Sequence, residues 1–175
     1  PAAVATHRAQ LRAARAFYAW CIERGYLDGN PFDRVKGTGR AISGKPQLRL
    51  DEVRQLVEVL QRESSAGDES ASGLLLQLVL GARSSEILSR QVRDVDDGGR
   101  VLWIPDGKTK NARRRLSVPE EVQPLLKRLM GQRPPEDFLI GEGRNKPYPS
   151  PVLWKRLRRF CSMAGIPQVC PHSLR

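Results

Sequence analysis

The sequence is short of several things that would otherwise have to be explained. Aromatic residues make up 6% of its 175 residues, and there are only two histidines and three cysteines. No apolar run approaches the roughly 20 residues that a membrane-spanning helix needs, which excludes a helical membrane anchor within these residues. Cys21, Cys161 and Cys170 are odd in number and irregularly spaced. That argues against a disulfide framework and for a reducing compartment, so the expected location is cytoplasmic. No secretion signal stands within these residues, and a native leader before Pro1 would lie outside them. The chain begins at Pro1 rather than methionine, so it is expected to be a piece of a longer protein.

Acidic residues are scarce in one half only. Lys and Arg number 30 against 19 Asp and Glu, a net +11. Residues 1–99 hold 14 basic and 13 acidic side chains, net +1, whereas residues 100–175 hold 16 and 6, net +10. A few surplus cations keep a surface soluble. An excess confined to one half favours a polyanion, and nucleic acid is the commonest such partner.

Periodicity sets out the organisation. Residues 6–24 repeat Leu11, Ala14, Phe17, Tyr18 and Cys21 near helical spacing, and Gly25 and Pro31 bar continuation. "KGTGRAISGKP" (36–46) has the composition of a linker. Residues 50–63 predict a helix with Leu50, Val53, Leu56, Val57 and Leu60 on one face and Asp51 and Glu52 near its positive end. "SSAGDESASG" reads as a polar loop. The apolar run from Leu74 predicts a buried helix ending near Gly81, and a second helix starts at Ser84 or Ser85. Residues 100–105 and 113–119 predict a β-hairpin joined by "DGKTKNA", with Leu116 and Val118 inward and Arg115 and Ser117 outward. Helices follow at 120–131 and 151–164. The latter has Leu153, Leu157, Phe160 and Cys161 on its apolar face and Lys155, Arg156, Arg158 and Arg159 crowding the rest.

Metal-free transfer of a DNA phosphodiester needs a particular set of groups. Planar guanidinium groups suit the charge gathering on the non-bridging oxygens, a general acid must protonate the leaving sugar oxygen, and a histidine can position or move protons. Two arginines, one lysine and one histidine would meet that need. "LGARSSEILSRQVRDVD" resembles the first conserved box of the tyrosine recombinases, the phage integrase family. "GKTKNARRRLSVP" is similar to the family's β-hairpin, and "PHSLR" to its His-x-x-Arg box. Three motifs in the family's order, from about Leu48 onward, make the resemblance specific.

The resemblance implies a mainly α fold with a small antiparallel β-sheet. Residues 1–35 are similar to the last helix of the core-binding domain, 36–46 form a linker, and 47–175 correspond to part of the catalytic domain. It implies Arg83, Lys108, His172 and Arg175 as catalytic residues and Glu86 as support for an arginine. Lys110, two residues on, is the second candidate for the lysine, and Lys110, Arg113, Arg114 and Arg115 read as DNA phosphate contacts or solvated charge. In the family the helix before the His-x-x-Arg box approaches the major groove, so Lys155, Arg156, Arg158 and Arg159 are expected to include at least two DNA contacts.

The family's nucleophile is a tyrosine downstream of the His-x-x-Arg box. Tyr18, Tyr26 and Tyr148 all lie upstream, so no nucleophile is expected in this chain and these residues alone should not cleave DNA. The partner implied is double-stranded DNA, with the parent a tetramer on DNA and the fragment a monomer. No metal or nucleotide cofactor is implied, and the spacing of Cys170 and His172 with the other cysteines does not make a zinc set. Two rivals share the constellation: a DNA-binding protein of the same fold that never cleaves, and a type IB topoisomerase. The residues alone also allow Arg83 to be a helix cap or a partner of Glu86, and His172 to be a packed histidine.

Overall fold

The computed structural model describes residues 4–39, 47–105, 113–141 and 145–174. Its chain divides into two units, residues 1–44 and 45–175.

In the first unit, helix α1 (Val4–Glu23) buries Leu11 and Cys21. Gly25, with φ +72°, ends it in the left-handed region that glycine enters without strain. The exit then folds back along the helix. Arg15 donates to the carbonyls of Phe32, Asp33 and Val35 at 3.1, 3.2 and 2.6 Å, and Asn30 donates to the Arg15 carbonyl at 3.2 Å. Tyr18 packs on Phe32 with centroids 5.2 Å apart. Phe17, expected inside, is 58% exposed and stacks on Trp20. One returning segment covers only one side of the helix. The front of the expected linker lies against α1, where Arg8 donates to the Gly39 carbonyl; residues 40–46 are outside the described set.

The second unit is mainly helical around a small sheet, as the motifs imply. Helices α2 (Leu50–Ser65) and α3 (Glu69–Leu80) pack on each other and on α6 (Ser150–Met163), with α4 (Ser84–Leu88) and α5 (Gln123–Met130) at the flanks. The core runs through Leu56, Leu60, Leu74, Leu76, Leu126, Leu153, Leu157 and Phe160. Helix α2 turns Val59 inward and leaves Leu50 65% exposed, a rotation from the expected face.

The polar stretch expected as a loop is helix at both ends. Ser64 and Ser65 finish α2, and Glu69 opens α3. Asp68 caps α3 by accepting from the Ser70 and Ala71 amides. Its small residues allow close approach: the Ser64 and Ser72 hydroxyls of α2 and α3 meet at 2.8 Å, and a Cβ on Gly73 would sit 3.3 Å from Ile140 in the segment before α6.

Among the described residues the sheet has three strands, β1 (Val95–Asp96), β2 (Val101–Ile104) and β3 (Arg114–Ser117), antiparallel in that order. The expected hairpin pairs Leu102 with Leu116 and Ile104 with Arg114. Val118 is buried and Arg115 and Ser117 exposed, the alternation a pleated strand demands. The two-residue β1 adds itself through the Asp97–Gly99 turn, whose three residues all have positive φ.

Candidate active site

Arg83 occupies the N-cap position of α4, where its extended backbone leaves the first helical amides without intrahelical partners. Glu86, three residues on, reaches back: its Oε2 accepts from the Arg83 backbone N–H at 2.8 Å, and its Oε1 accepts from Arg83 Nη1 at 2.7 Å. The first residue of β3 completes the group. Arg114 donates Nη1 to Oε1 at 3.2 Å and Nη2 to Oε2 at 2.8 Å, a bidentate fork. One carboxylate thus ties the start of α4 to the strand after the hairpin turn.

The electrostatics follow from the geometry. Glu86 is only 6% exposed. Burial alone would raise its carboxyl, but the hydrogen bonds from Arg114 and Arg83 outweigh it and hold the group at about 2, below the ordinary 4.5. The same fork pushes the Arg114 guanidinium up. Arg83 remains half in water, whereas the carboxylate it pairs with is buried. A fully buried arginine, Arg90, braces α4 from behind by donating to the Glu86 and Trp103 carbonyls at 2.8 and 3.2 Å and pairing with Asp94 at 3.2 Å.

His172 lies on the 3₁₀ turn Pro171–Leu174, held down by the buried Pro171 and Leu174 while His172 itself is exposed. It lines a cleft of about 660 Å³ with Gln47, Leu48, Val53 and Leu78. The turn is carried to α3 by Gln77, whose Nε2 donates to the Pro171 carbonyl. Lys108, Lys110 and Arg175 lie outside the described residues.

The remaining basic residues fall into two groups. Arg113 and Arg115 are exposed, and Arg115 stands over the Trp103 ring at 5.2 Å. Arg114, expected among the DNA contacts, has its guanidinium on Glu86 instead of projecting from the strand with them. On α6, Lys155, Arg158 and Arg159 are exposed and Arg156 is half-buried. Ser150, Pro151, Trp154, Lys155 and Arg158 line a second, shallow cleft of about 710 Å³. The tyrosines are placed differently: Tyr148 is buried, Tyr18 packs on Phe32, and Tyr26 is exposed beside Trp20. Burial raises the Cys161 thiol, which makes it a poor nucleophile. Among the described residues no group of three or more His, Cys, Asp or Glu side chains could hold a metal ion.

Sequence reasoning missed Gln77, the bridging place of Arg114, and Arg90. The signal for Gln77 was there, a single amide inside an apolar run. Nothing local marks Arg114 off from Arg113 and Arg115 except its inward parity on the strand.

Comparison with known proteins adds to this geometry. A tyrosine recombinase of Thermosipho africanus (strain TCF52B) is 26% identical over 166 residues, spanning 94% of this chain and 57% of that protein. Tyrosine recombinase XerC of Mycobacterium tuberculosis (strain ATCC 25177 / H37Ra) is 30% identical over 107 residues, 59% of this chain and 36% of the relative. The chain therefore spans about half, or less, of the curated relatives it matches. In fold it resembles the Tn1549 transposon integrase, solved with circular intermediate DNA, at a TM-score of 0.78 and 17% identity, covering 98% of this chain and 64% of that one. Lambda integrase bound to DNA gives a TM-score of 0.70 at 15% identity, covering 98% and 62%. Residues 46–175 match the model of the phage integrase family; with the motifs in order and this fold around them, the chain belongs to that family, the tyrosine recombinases.

Proposed function

We propose that these residues form the phosphate-activating part of a site-specific DNA recombinase that breaks and rejoins strands through a 3′-phosphotyrosine. The observation that carries the reading is the Arg83–Glu86–Arg114 group: a carboxylate 6% exposed, paired with two guanidinium groups, one of them half in water. Glu86 fixes the inner edge of Arg83, and the outer edge is left to meet the non-bridging oxygens of a scissile phosphate.

In this reading Arg83 and Arg175 clamp the phosphate and offset the charge that builds up in the transition state. A tyrosine supplied beyond Arg175 attacks phosphorus as the bond to the 5′ oxygen breaks. Lys108 gives that oxygen its proton, and His172 assists proton transfer and positioning. Rejoining reverses the steps. The product of cleavage is protein joined to the DNA 3′ end and a free 5′ hydroxyl, so no high-energy cofactor is consumed.

The exposed cations of α6, with Trp154 and the cleft beside it, are the surface we assign to duplex DNA, together with Arg113 and Arg115 on the hairpin. Support comes from charge: residues 100–175 hold 16 Lys and Arg against 6 acidic groups. Phosphate contacts of this kind release counterions, so affinity falls by roughly 10²-fold between about 50 and 200 mM salt if about four contacts form. Titration of a labelled duplex by fluorescence anisotropy at several salt concentrations tests this, and a flat salt dependence would contradict it. We assign the longer protein a tetrameric state on DNA and these residues alone a monomeric one, which sedimentation with and without duplex measures.

A further inference from the structure

Gln77 stands in the apolar run of α3, between Leu76 and Leu78, and is 1% exposed. A leucine would fit that run without the cost of taking an amide out of water, so the amide is accounted for by its partners. Its Nε2 donates to the Pro171 carbonyl, 94 residues away in sequence. Its Oε1 accepts from Ser84 Oγ at 2.9 Å. The orientation is forced, because the Pro171 carbonyl can only accept; the NH₂ must face it, which leaves the amide oxygen to the Ser84 hydroxyl.

Both partners adjoin residues of the candidate site. Ser84 follows Arg83 and opens α4, and Pro171 immediately precedes His172. Among the described residues no hydrogen bond holds the His172 ring itself, so its backbone must set its place. That backbone is a four-residue turn fixed by the burial of Pro171 and Leu174, by the Ser173 N–H to Cys170 carbonyl bond at 2.8 Å, and by Gln77.

We infer that Gln77 is a positioning residue that holds the His172 turn in register with the start of α4, joining two halves of the phosphate site that lie far apart in sequence. The inference rests on the recombinase reading for its consequence, while the clamp itself can be measured without cleavage.

The chain holds two histidines, His7 and His172, so a ¹H–¹³C correlation spectrum of the imidazole Cε1–H groups has two signals. Gln77→Met removes both hydrogen bonds at similar side-chain length. Ser84→Ala removes only the far one, and it carries the same test should Gln77→Met fail to fold. Each substitution should displace the His172 signal and leave His7 in place. In a longer form carrying the tyrosine, Gln77→Met should slow covalent cleavage about tenfold, the scale of one buried hydrogen bond, with DNA affinity unchanged. An unmoved His172 signal in a folded variant, or unchanged cleavage, overturns the inference. A wild-type longer form that makes no adduct while the His172 signal still moves contradicts the recombinase reading and supports the clamp.

Discussion

Glu86→Gln strikes the group on which the site is built, and its effect can be worked out from the structure. The carboxylate accepts four hydrogen bonds, two from Arg83 and two from Arg114. Gln offers one acceptor oxygen and turns an NH₂ toward a guanidinium, removing the carboxylate charge that Arg83 and Arg114 share. The carboxyl is held at about 2 against an ordinary 4.5, and a drop of that size corresponds to roughly 3 kcal/mol of stability at neutral pH. The hydrogen bonds from Arg114 are the largest favourable contribution, followed by those from the Arg83 backbone and side chain; the Arg83 ion pair is weakened by water because that side chain is half solvated.

The sign fixes the pH window. A carboxyl with a lowered folded-state value stabilises fully above the unfolded value near 4.5, and that contribution is lost as pH falls toward 2. Urea unfolding of wild type and Glu86→Gln at pH 7 should therefore differ by about 2–4 kcal/mol, and the difference should shrink steadily between pH 4.5 and the acid limit of folding. A difference below about 0.5 kcal/mol at pH 7, within the range of ordinary surface substitutions, or one that stays constant with pH, would refute the reasoning.

Other perturbations have equally definite outcomes. Gly73→Val places a side chain against Ile140, where even a Cβ would sit 3.3 Å from Cγ2, and should lower stability by about 1–3 kcal/mol in the same unfolding assay. Phe160→Ala, at a fully buried position on α6, should lower it by about 3–5 kcal/mol. Reversing charge at Lys155 and Arg158 together should weaken duplex binding and reduce the slope of log affinity against log salt by about two, while leaving the unfolding midpoint near wild type.

Much of the fold was legible because its strongest signals are local. The apolar spacing of residues 151–164 and the alternation of Leu116 and Val118 each answer to one dominant period, and Gly81, at φ +58°, ends α3 where a left-handed residue is needed. The start of α3 was hidden because Ser70, Ser72 and Gly73 look like loop composition; Ser72 meets Ser64 of α2 and Gly73 lies close against Ile140, tertiary contacts that no local window contains. Strand β1, two residues long, exists only through its pairing with β2.

The site divides in the same way. Arg83 and Glu86 stand three apart on one turn, so their contact was open to view from spacing alone. Arg114 sits 28 residues from Glu86 and Gln77 sits 94 from Pro171. Such bonds depend on how strand and helix dock, which residue spacing does not encode. Arg90 had no sequence signal at all, since a buried arginine looks like any other until its acceptors are in place.

The most direct measurement uses the protein extended beyond Arg175 by a segment supplying the proposed tyrosine, mixed with a cognate duplex nicked close to the cleavage point so that the product cannot rejoin. Denaturing gels of 3′- and 5′-labelled strands should show protein joined to the DNA 3′ end, a free 5′ hydroxyl, and adduct slowed by roughly 10²-fold or more in Arg83→Ala and Arg175→Ala, the scale of losing a transition-state donor. Tight, salt-sensitive binding with no adduct from the wild type, or adduct at a normal rate without Arg83, would contradict the proposed catalysis.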